Sequence, residues 1–286
     1  MKTILLTGAG GPAGLALTDL LLERGFDLVG TDMRELAFLG RIFYPVPPAR
    51  DPAFLDALRG VAVKEHPALL IPTVTEELPV VAAGWRGWSG IPALVSSPRA
   101  VEIADDKYLT ARALSAAGVP VPRFALPSEL HSPAEVGAAL GWPCLSKPRQ
   151  GRGGRGVTVR CEADWPALAE LDDRFILQEF ASGKDYAPNV FIGSEGNLAV
   201  VLEKTALKEG LVGNALSVRR VDEADVAEVA VSAALAAGLS GPQDVDVRRR
   251  ADGQPVVLEI NARFGANSRH APEILEASLR SYGLWP

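Results

Sequence analysis

The residues best suited to chemistry lie near the C-terminal end of the sequence. Asp246 sits in an apolar run, and a turn at Asp252-Gly253 separates it from Val256-Val257-Leu258-Glu259-Ile260-Asn261-Ala262-Arg263. Alternate residues of a strand share a face, so Glu259, Asn261 and Arg263 point one way and Leu258, Ile260 and Ala262 the other. A hairpin would bring Asp246 alongside. Two carboxylates and an amide oxygen are hard donors suited to Mg²⁺ bridging phosphates. An arginine at their edge can neutralise charge on a phosphoryl group in transfer. The bland alternative is a solvated polar strand face. The apolar opposite face, and the loop that Arg263 opens, favour the metal site.

A second group could bind a nucleotide. The strand Pro143–Lys147 runs into Pro148-Arg149-Gln150-Gly151-Arg152-Gly153-Gly154-Arg155-Gly156, and another strand follows. Strand–loop–strand is not the strand–loop–helix of a Walker loop. A glycine hairpin can nonetheless fold its amides over phosphates, with Lys147 as a point charge. Without a ligand it is a flexible arginine-bearing hairpin. Lys107 opens a helix, where the dipole disfavours a cation unless an anion lies near. Phe175–Phe180 reads as a buried strand ending in Gln178, Glu179 and Phe180, with Asp185 beyond. Such a segment can hold adenine through its backbone while the acid takes ribose hydroxyls, or it can be merely a strand end.

A third glycine cluster, Gly8-Ala9-Gly10-Gly11-Pro12-Ala13-Gly14, joins a strand to a helix, and Asp32 ends the next strand. Alone it suggests a dinucleotide site. A short-chain reductase also needs a tyrosine with a lysine four positions later. Tyr44, Tyr108, Tyr186 and Tyr282 are followed there by Pro48, Arg112, Val190 and Pro286. A structural turn that helps shape a substrate cleft is the better reading.

The elements that must position these groups change character along the chain. Strand signals at Thr3–Thr7, Phe26–Thr31, Leu69–Pro72 and Ala93–Ser96 alternate with helical stretches such as Leu15–Arg24, which predicts a parallel sheet flanked by helices. Tyr44–Pro52 reads as a proline-rich connection. A boundary is expected near residue 104, followed by a helix Lys107–Ala117 that stops at Gly118. Ser132-Pro133-Ala134-Glu135 is a capping box. Beyond Pro143, turn signals at Ser194–Asn197 and Asp252-Gly253 predict antiparallel hairpins, interrupted by a helix Glu223–Ala237. The fold class is α/β followed by α+β.

Composition sets outer limits. The chain has 286 residues, 48% apolar and 22% charged, enough for two packed units and unlike a disordered chain. Its formal charge of −6 argues against nucleic acid as a partner. Two cysteines, Cys144 and Cys161, make no disulfide framework, so a reduced, cytoplasmic setting is expected. No window is apolar enough to span a membrane, and the N-terminal segment reads as mature chain.

Taken together and in order, LEINARFG with Asp246 upstream, the KPRQGRGGRG loop and Lys107 resemble the ATP-grasp superfamily, in the branch similar to carbamoyl-phosphate synthase large chains and carboxylate–amine ligases. The resemblance covers nearly the whole chain. It implies a Rossmann-like pre-ATP-grasp domain over residues 1–104 and an ATP-grasp domain over 105–286. Within the latter, a glycine-loop lobe would span about 120–180 and a metal-bearing lobe about 181–286. By that resemblance Lys107 and Lys147 contact nucleotide phosphates, and Gly151, Gly153, Gly154 and Gly156 belong to a mobile lid. Gln178, Glu179 and Phe180 form the adenine hinge, and Asp185 is the ribose acid. Asp246, Glu259 and Asn261 hold Mg²⁺ or Mn²⁺, and Arg263 is catalytic.

Lys204, Lys208, Arg219 and Arg220 fall where relatives place cations near the γ-phosphate, with Lys204 the catalytic candidate; a solvated sheet edge is the alternative. Ala262 stands where proline is common, and Gln178 and Asn189 where acids are common. Glu76 and Glu77 are substrate candidates, and His270 is a candidate for substrate contact or helix capping. His66 and His131 read as surface residues, Trp85 and Trp88 as packing. The implied reaction joins a small carboxylate to an amine through an acylphosphate, with ADP and phosphate released. Many relatives carry a further C-terminal lobe that helps form the substrate site, and the resemblance leaves a partner subunit, a homodimer or an open cleft as the alternatives here. The alternatives are phosphorylation of carbamate or bicarbonate with a partner subunit, an NAD(P)-dependent oxidoreductase, or a non-catalytic nucleotide-binding module.

Overall fold

The computed structural model describes residues 2–88, 90–151, 153–209 and 212–285. Short apolar runs become buried parallel strands: β1 (Thr3–Leu6), then after α1 (Pro12–Glu23) β2 (Asp27–Asp32). Next come β3 (Ile42–Pro45), α2 (Phe54–Glu65), β4 (Leu69–Ile71), α3 (Leu78–Gly84), α4 (Pro98–Asp105) and α5 (Lys107–Ala116). The sheet runs β3-β2-β1-β4, all parallel. Two expectations are corrected here. Tyr44 and Pro45 belong to edge strand β3 rather than to a connection. A proline is tolerated at that end because the edge asks for no further donor. Ala93–Ser96 forms only a single parallel bridge, Ala93 to Leu70, because the backbone leaves for α4 after it.

The second sheet holds β5 (Phe124–Ala125), β6 (Cys144–Pro148), β7 (Thr158–Arg160) and β8 (Phe175–Glu179) in the antiparallel order β5-β8-β6-β7. Two short helices, α6 (Pro133–Ala139) and α7 (Trp165–Ala169), accompany it. Ser132 caps α6 as its capping box predicts, its hydroxyl accepting from the Glu135 amide. Cys144 is fully buried within this lobe, and burial pushes its thiol up to about 11. Cys161 is exposed.

The third sheet has seven strands: β9 (Asp185–Tyr186), β10 (Asn189–Gly193), β11 (Gly196–Val200), β12 (Leu202–Glu209), β13 (Val212–Arg220), β14 (Gly241–Arg249) and β15 (Pro255–Asn261). Helix α8 (Ala224–Ala236) covers it, and α9 (Pro272–Arg280) packs near its other end. The predicted turns at Ser194–Asn197 and Asp252-Gly253 connect β10 to β11 and β14 to β15.

Packing crosses the expected division at residue 104. Ala100, Val101 and Ala104 of α4 share a core with Val226 and Ala230 of α8 and with Ile260 of β15. Ile4 and Leu6 of β1 and Leu17 of α1 share another with Phe264, Ile274 and Leu279. No helix among the described residues is long and apolar enough to cross a membrane.

Thiol labelling checks this packing. In the native protein iodoacetamide should alkylate Cys161 and leave Cys144 unmodified until denaturant is added, because a buried thiol of raised pKa offers almost no thiolate. Equal native labelling of the two would refute the burial of β6.

Candidate functional site

The site is assembled around the N-terminus of α5. Asp106 accepts from the amides of Tyr108 and Leu109, capping the helix, and also takes Arg149 in a forked ion pair with contacts down to 2.6 Å. The Lys107 amide donates to the Arg149 carbonyl at 2.9 Å. The end of β6 is thereby clasped to the first turn of α5, which brings Lys107 and Lys147 to one cavity. Lys107 Nζ lies 3.1 Å from Glu259 Oε2 and donates to the Gly151 carbonyl at 2.9 Å. The anion needed to tolerate a cation at a helix N-terminus is therefore Glu259.

Asp246 and Glu259 are register partners on β14 and β15, and Asp244 is the partner of Asn261. Burial and the neighbouring carboxylates push the Asp246 carboxyl up, with Lys204 opposing them. Burial also acts against the Glu259 anion, but Lys107 and Lys147 outweigh it and hold this carboxyl well below its ordinary range. Desolvation pushes Lys147 down to about 8. Lys204 is buried between two acids: its Nζ lies 3.0 Å from Asp185 and in contact with Asp246. Burial disfavours its charge, yet the two aspartates raise its pKa above that of free lysine. Lys204 is thus no solvated edge residue.

A cavity of about 430 Å³ gathers Lys107, Lys147, Gly151, Gly153, Gly154, Asp185, Lys204, Asp246, Glu259, Asn261 and Arg263. Gly151, Gly153, Gly154 and Gly156 all have φ between 68° and 133°, which side chains disfavour and a glycine hairpin permits. Gly156 is not among the lining residues and lies against Pro148. Arg152 falls outside the described residues.

Gln178, Glu179 and Phe180 are not in the cavity wall. Gln178 is buried, Glu179 is held by Arg123 and Arg250 at 3.3 and 3.1 Å, and Phe180 lies under the Arg248 guanidinium. Lys208 lines the cavity. Arg219 and Arg220 instead pair with Glu203 and Glu273.

The strand pair departs from strict alternation at one point, and two further residues reach the cavity from its end. A register shift between Asp246 and Val247 leaves Leu258 as an extra residue of β15, and it joins Glu259 in the cavity wall instead of facing away. Arg263 lies beyond the end of β15 but reaches the cavity, donating to Thr75 Oγ1 at 3.2 Å and to Asn261 Oδ1 at 3.0 Å. Asp244 also lines the cavity; counting back two residues from Asp246 would have found it.

The first glycine cluster forms part of the same wall through Gly11, Pro12 and Ala13, together with Thr73 and Val74. The Asp32 carboxylate accepts from the amides of Gly10 and Arg34 at 3.1 and 3.2 Å, and Leu36 packs over Gly10. The acid expected to reach a dinucleotide ribose is used by its own loop. Glu77 is buried and accepts from the Thr7 hydroxyl. His66 and His131 are exposed, as is His270, which precedes α9. Trp85 packs against Trp88 with centroids 4.8 Å apart.

Comparison with known proteins places this geometry. The ATP-grasp domain family matches residues 104–267. A D-alanine–D-alanine ligase of Gloeobacter violaceus is 30% identical over 220 residues, covering 68% of this chain and 71% of that protein. A carbamoyl phosphate synthase large chain of Mycobacterium sp. (strain JLS) is 34% identical over 71 residues, 25% of this chain and 6% of that much longer protein. The crystal structure of an L-amino acid ligase from Bacillus licheniformis superposes with a TM-score of 0.72 at 18% identity, covering 96% of this chain and 70% of that one.

The buried charges make a stability test. Lys107→Met leaves Glu259 short of its nearest cation and should lower the unfolding free energy by about 3 kcal/mol in urea titration. Lys107→Met combined with Glu259→Gln should recover most of that loss. A single variant as stable as wild type would show that the pair is not a fixed feature.

Proposed function

The chain belongs to the ATP-grasp family, and from that premise we propose that it is an ADP-forming carboxylate–amine ligase. The observation that carries the reading is the convergence, in one cavity, of two lysines, a glycine hairpin, the Asp246–Glu259–Asn261 donor set and Arg263. The names of its relatives, a D-alanine–D-alanine ligase and an L-amino acid ligase, support amino acids as the substrate class.

In this reading Lys107 and Lys147 hold the nucleotide phosphates, and an arriving phosphate restores full charge to a lysine that burial has weakened. The amides of Gly151–Gly156 close over the phosphates and exclude water. The backbone of Gln178, Glu179 and Phe180 takes the adenine, and Asp185 the ribose hydroxyls.

The donor set fits a hard dication. Asp246 and Glu259 are adjacent acids whose repulsion a cation would relieve. Among the described residues no three His, Cys, Asp or Glu side chains converge for a metal, so the third donor would be the Asn261 amide oxygen. Asp246, Glu259 and Asn261 would hold Mg²⁺ or Mn²⁺, which when bound draws charge from the phosphates.

A substrate carboxylate oxygen attacks the γ-phosphorus and the bond to ADP breaks. Arg263 neutralises the phosphoryl group as it moves, and Lys204 fixes Asp185 and Asp246 while adding positive charge beside them. A free amine nitrogen then attacks the acyl carbon and the carbon–oxygen bond to phosphate breaks, forming the amide. The departing phosphate takes up the proton that the nitrogen sheds. Such chemistry rests largely on positioning. The wall formed by Gly11–Ala13 and Thr73–Val74, from the Rossmann-like N-terminal unit, faces the acid and amine.

The test is calorimetric titration with a non-hydrolysable ATP analogue, with and without Mg²⁺, beside NAD⁺ and NADP⁺, followed by an ADP-release screen of acid–amine pairs. We expect Mg²⁺-dependent binding of the ATP analogue and release only with a matched pair. ADP release with bicarbonate alone would favour the carbamoyl-phosphate type of reaction, and dinucleotide binding alone would overturn the proposal. Glu259→Gln should abolish Mg²⁺-dependent turnover even at temperatures where circular dichroism shows the variant, destabilised by its unpaired lysines, still folded. Lys147→Ala should weaken the analogue by at least about tenfold.

A further inference from the structure

Asp244 has no part in the roles proposed above, yet it lies in the same cavity wall. Its Oδ2 is 3.7 Å from Arg263 NH1, while Oδ1 is enclosed without a hydrogen-bond partner among the described residues. The backbone of Gly265 lies directly on this carboxyl group, and a Cβ there would overlap its atoms. Burial pushes this carboxyl up from its ordinary range; Arg263 and Lys204 favour its anion, and the neighbouring acids Glu259 and Asp246 oppose it. Arg263 also donates to Thr75 Oγ1 at 3.2 Å, Asn261 Oδ1 at 3.0 Å and the Phe264 carbonyl at 2.8 Å. Those contacts set the plane of the guanidinium. A carboxylate at its edge adds an attraction that acts without hydrogen-bond geometry, in a place largely shut off from water.

We infer that Asp244 is a positioning residue that holds the Arg263 guanidinium in the cavity, and that Gly265 supplies the clearance this carboxylate needs. Its effect on turnover rests on the ligase reading; the placement of Arg263 does not. Asn261 also contributes, since its Nδ2 donates to the Asp244 carbonyl at 3.3 Å and its Oδ1 accepts from Arg263. The arginine is thus supported by both strands of the β14–β15 pair.

The direct readout is the Arg263 Nε–Hε signal in protein labelled with [¹⁵N]arginine, identified by its loss in Arg263→Lys. In Asp244→Asn, which keeps the side chain's size, the signal should shift and its proton should exchange with water about tenfold faster. Gly265→Ala should shift the same signal by crowding the carboxyl group. An unchanged signal in Asp244→Asn would overturn the inference, whatever the enzyme's substrates prove to be. With a pair found by the ADP-release screen, Asp244→Asn should lower kcat about tenfold and leave KM for MgATP within about twofold. In an Arg263→Lys background the same change should have little further effect. Additive losses would mean that Asp244 acts elsewhere. Failure of wild type to release ADP with any pair would count against the ligase reading alone, because the labelled-arginine result stands apart from it.

Discussion

Everything in this molecule's cavity depends on burying opposite charges together. Removing a single lysine or carboxylate from water is expensive, and the usual outcome is loss of the charge or failure to pack. Here Lys107 and Lys147 face Glu259, while Lys204 lies between Asp185 and Asp246. The partners come from a helix and two different sheets, so the site forms only when these elements meet. In the proposed reading MgATP would suit such a site, because it would bring anions to the lysines and a cation to the carboxylates. Its arrival would exchange one set of compensated charges for another.

The second constraint is mechanical. Asp106 both caps α5 and clamps Arg149, so the lobe carrying the glycine hairpin is anchored where Lys107 enters the cavity. On the other side Arg263 reaches Thr75, next to the strand end at Ile71, and apolar side chains of the first sheet interleave with those around α9. The N-terminal unit is consequently a wall of the site rather than an appendage. Its glycine turn contributes Gly11–Ala13 to that wall while Asp32 is occupied by the turn's own amides. A motif that alone suggests a dinucleotide site is thus used as a scaffold facing the ATP-grasp cavity.

The local signals were legible because they are local. The cap at Ser132, the turns at Ser194–Asn197 and Asp252-Gly253, and the alternation of strands and helices follow from short-range hydrogen bonding and periodicity. Glu259, Asn261 and Arg263 could be grouped by the two-residue period, and order along the chain joined them to Lys107 and Lys147. Asp244 shares the Asp246 face by the same two-residue period, but only the fold brings it beside Arg263. Leu258 was assigned to the wrong face because a register shift cannot be seen in a pattern that assumes none. The hinge segment reads as a strand, which it is, but only the fold reveals that the Glu179 side chain is taken by Arg123 and Arg250.

The sequence by itself determined the element types, the glycine hairpin, the acidic strand pair and, through their order, the family. Tertiary structure alone decided which charge meets which. Lys107 and Glu259 are separated by most of the grasp domain in sequence, and nothing local to either names the other. Burial decided that Lys204 is an enclosed counter-charge rather than an edge lysine, and packing decided that the first glycine turn serves as a wall. These choices depend on desolvation and long-range register, which exist only once the sheets and helices have closed on one another.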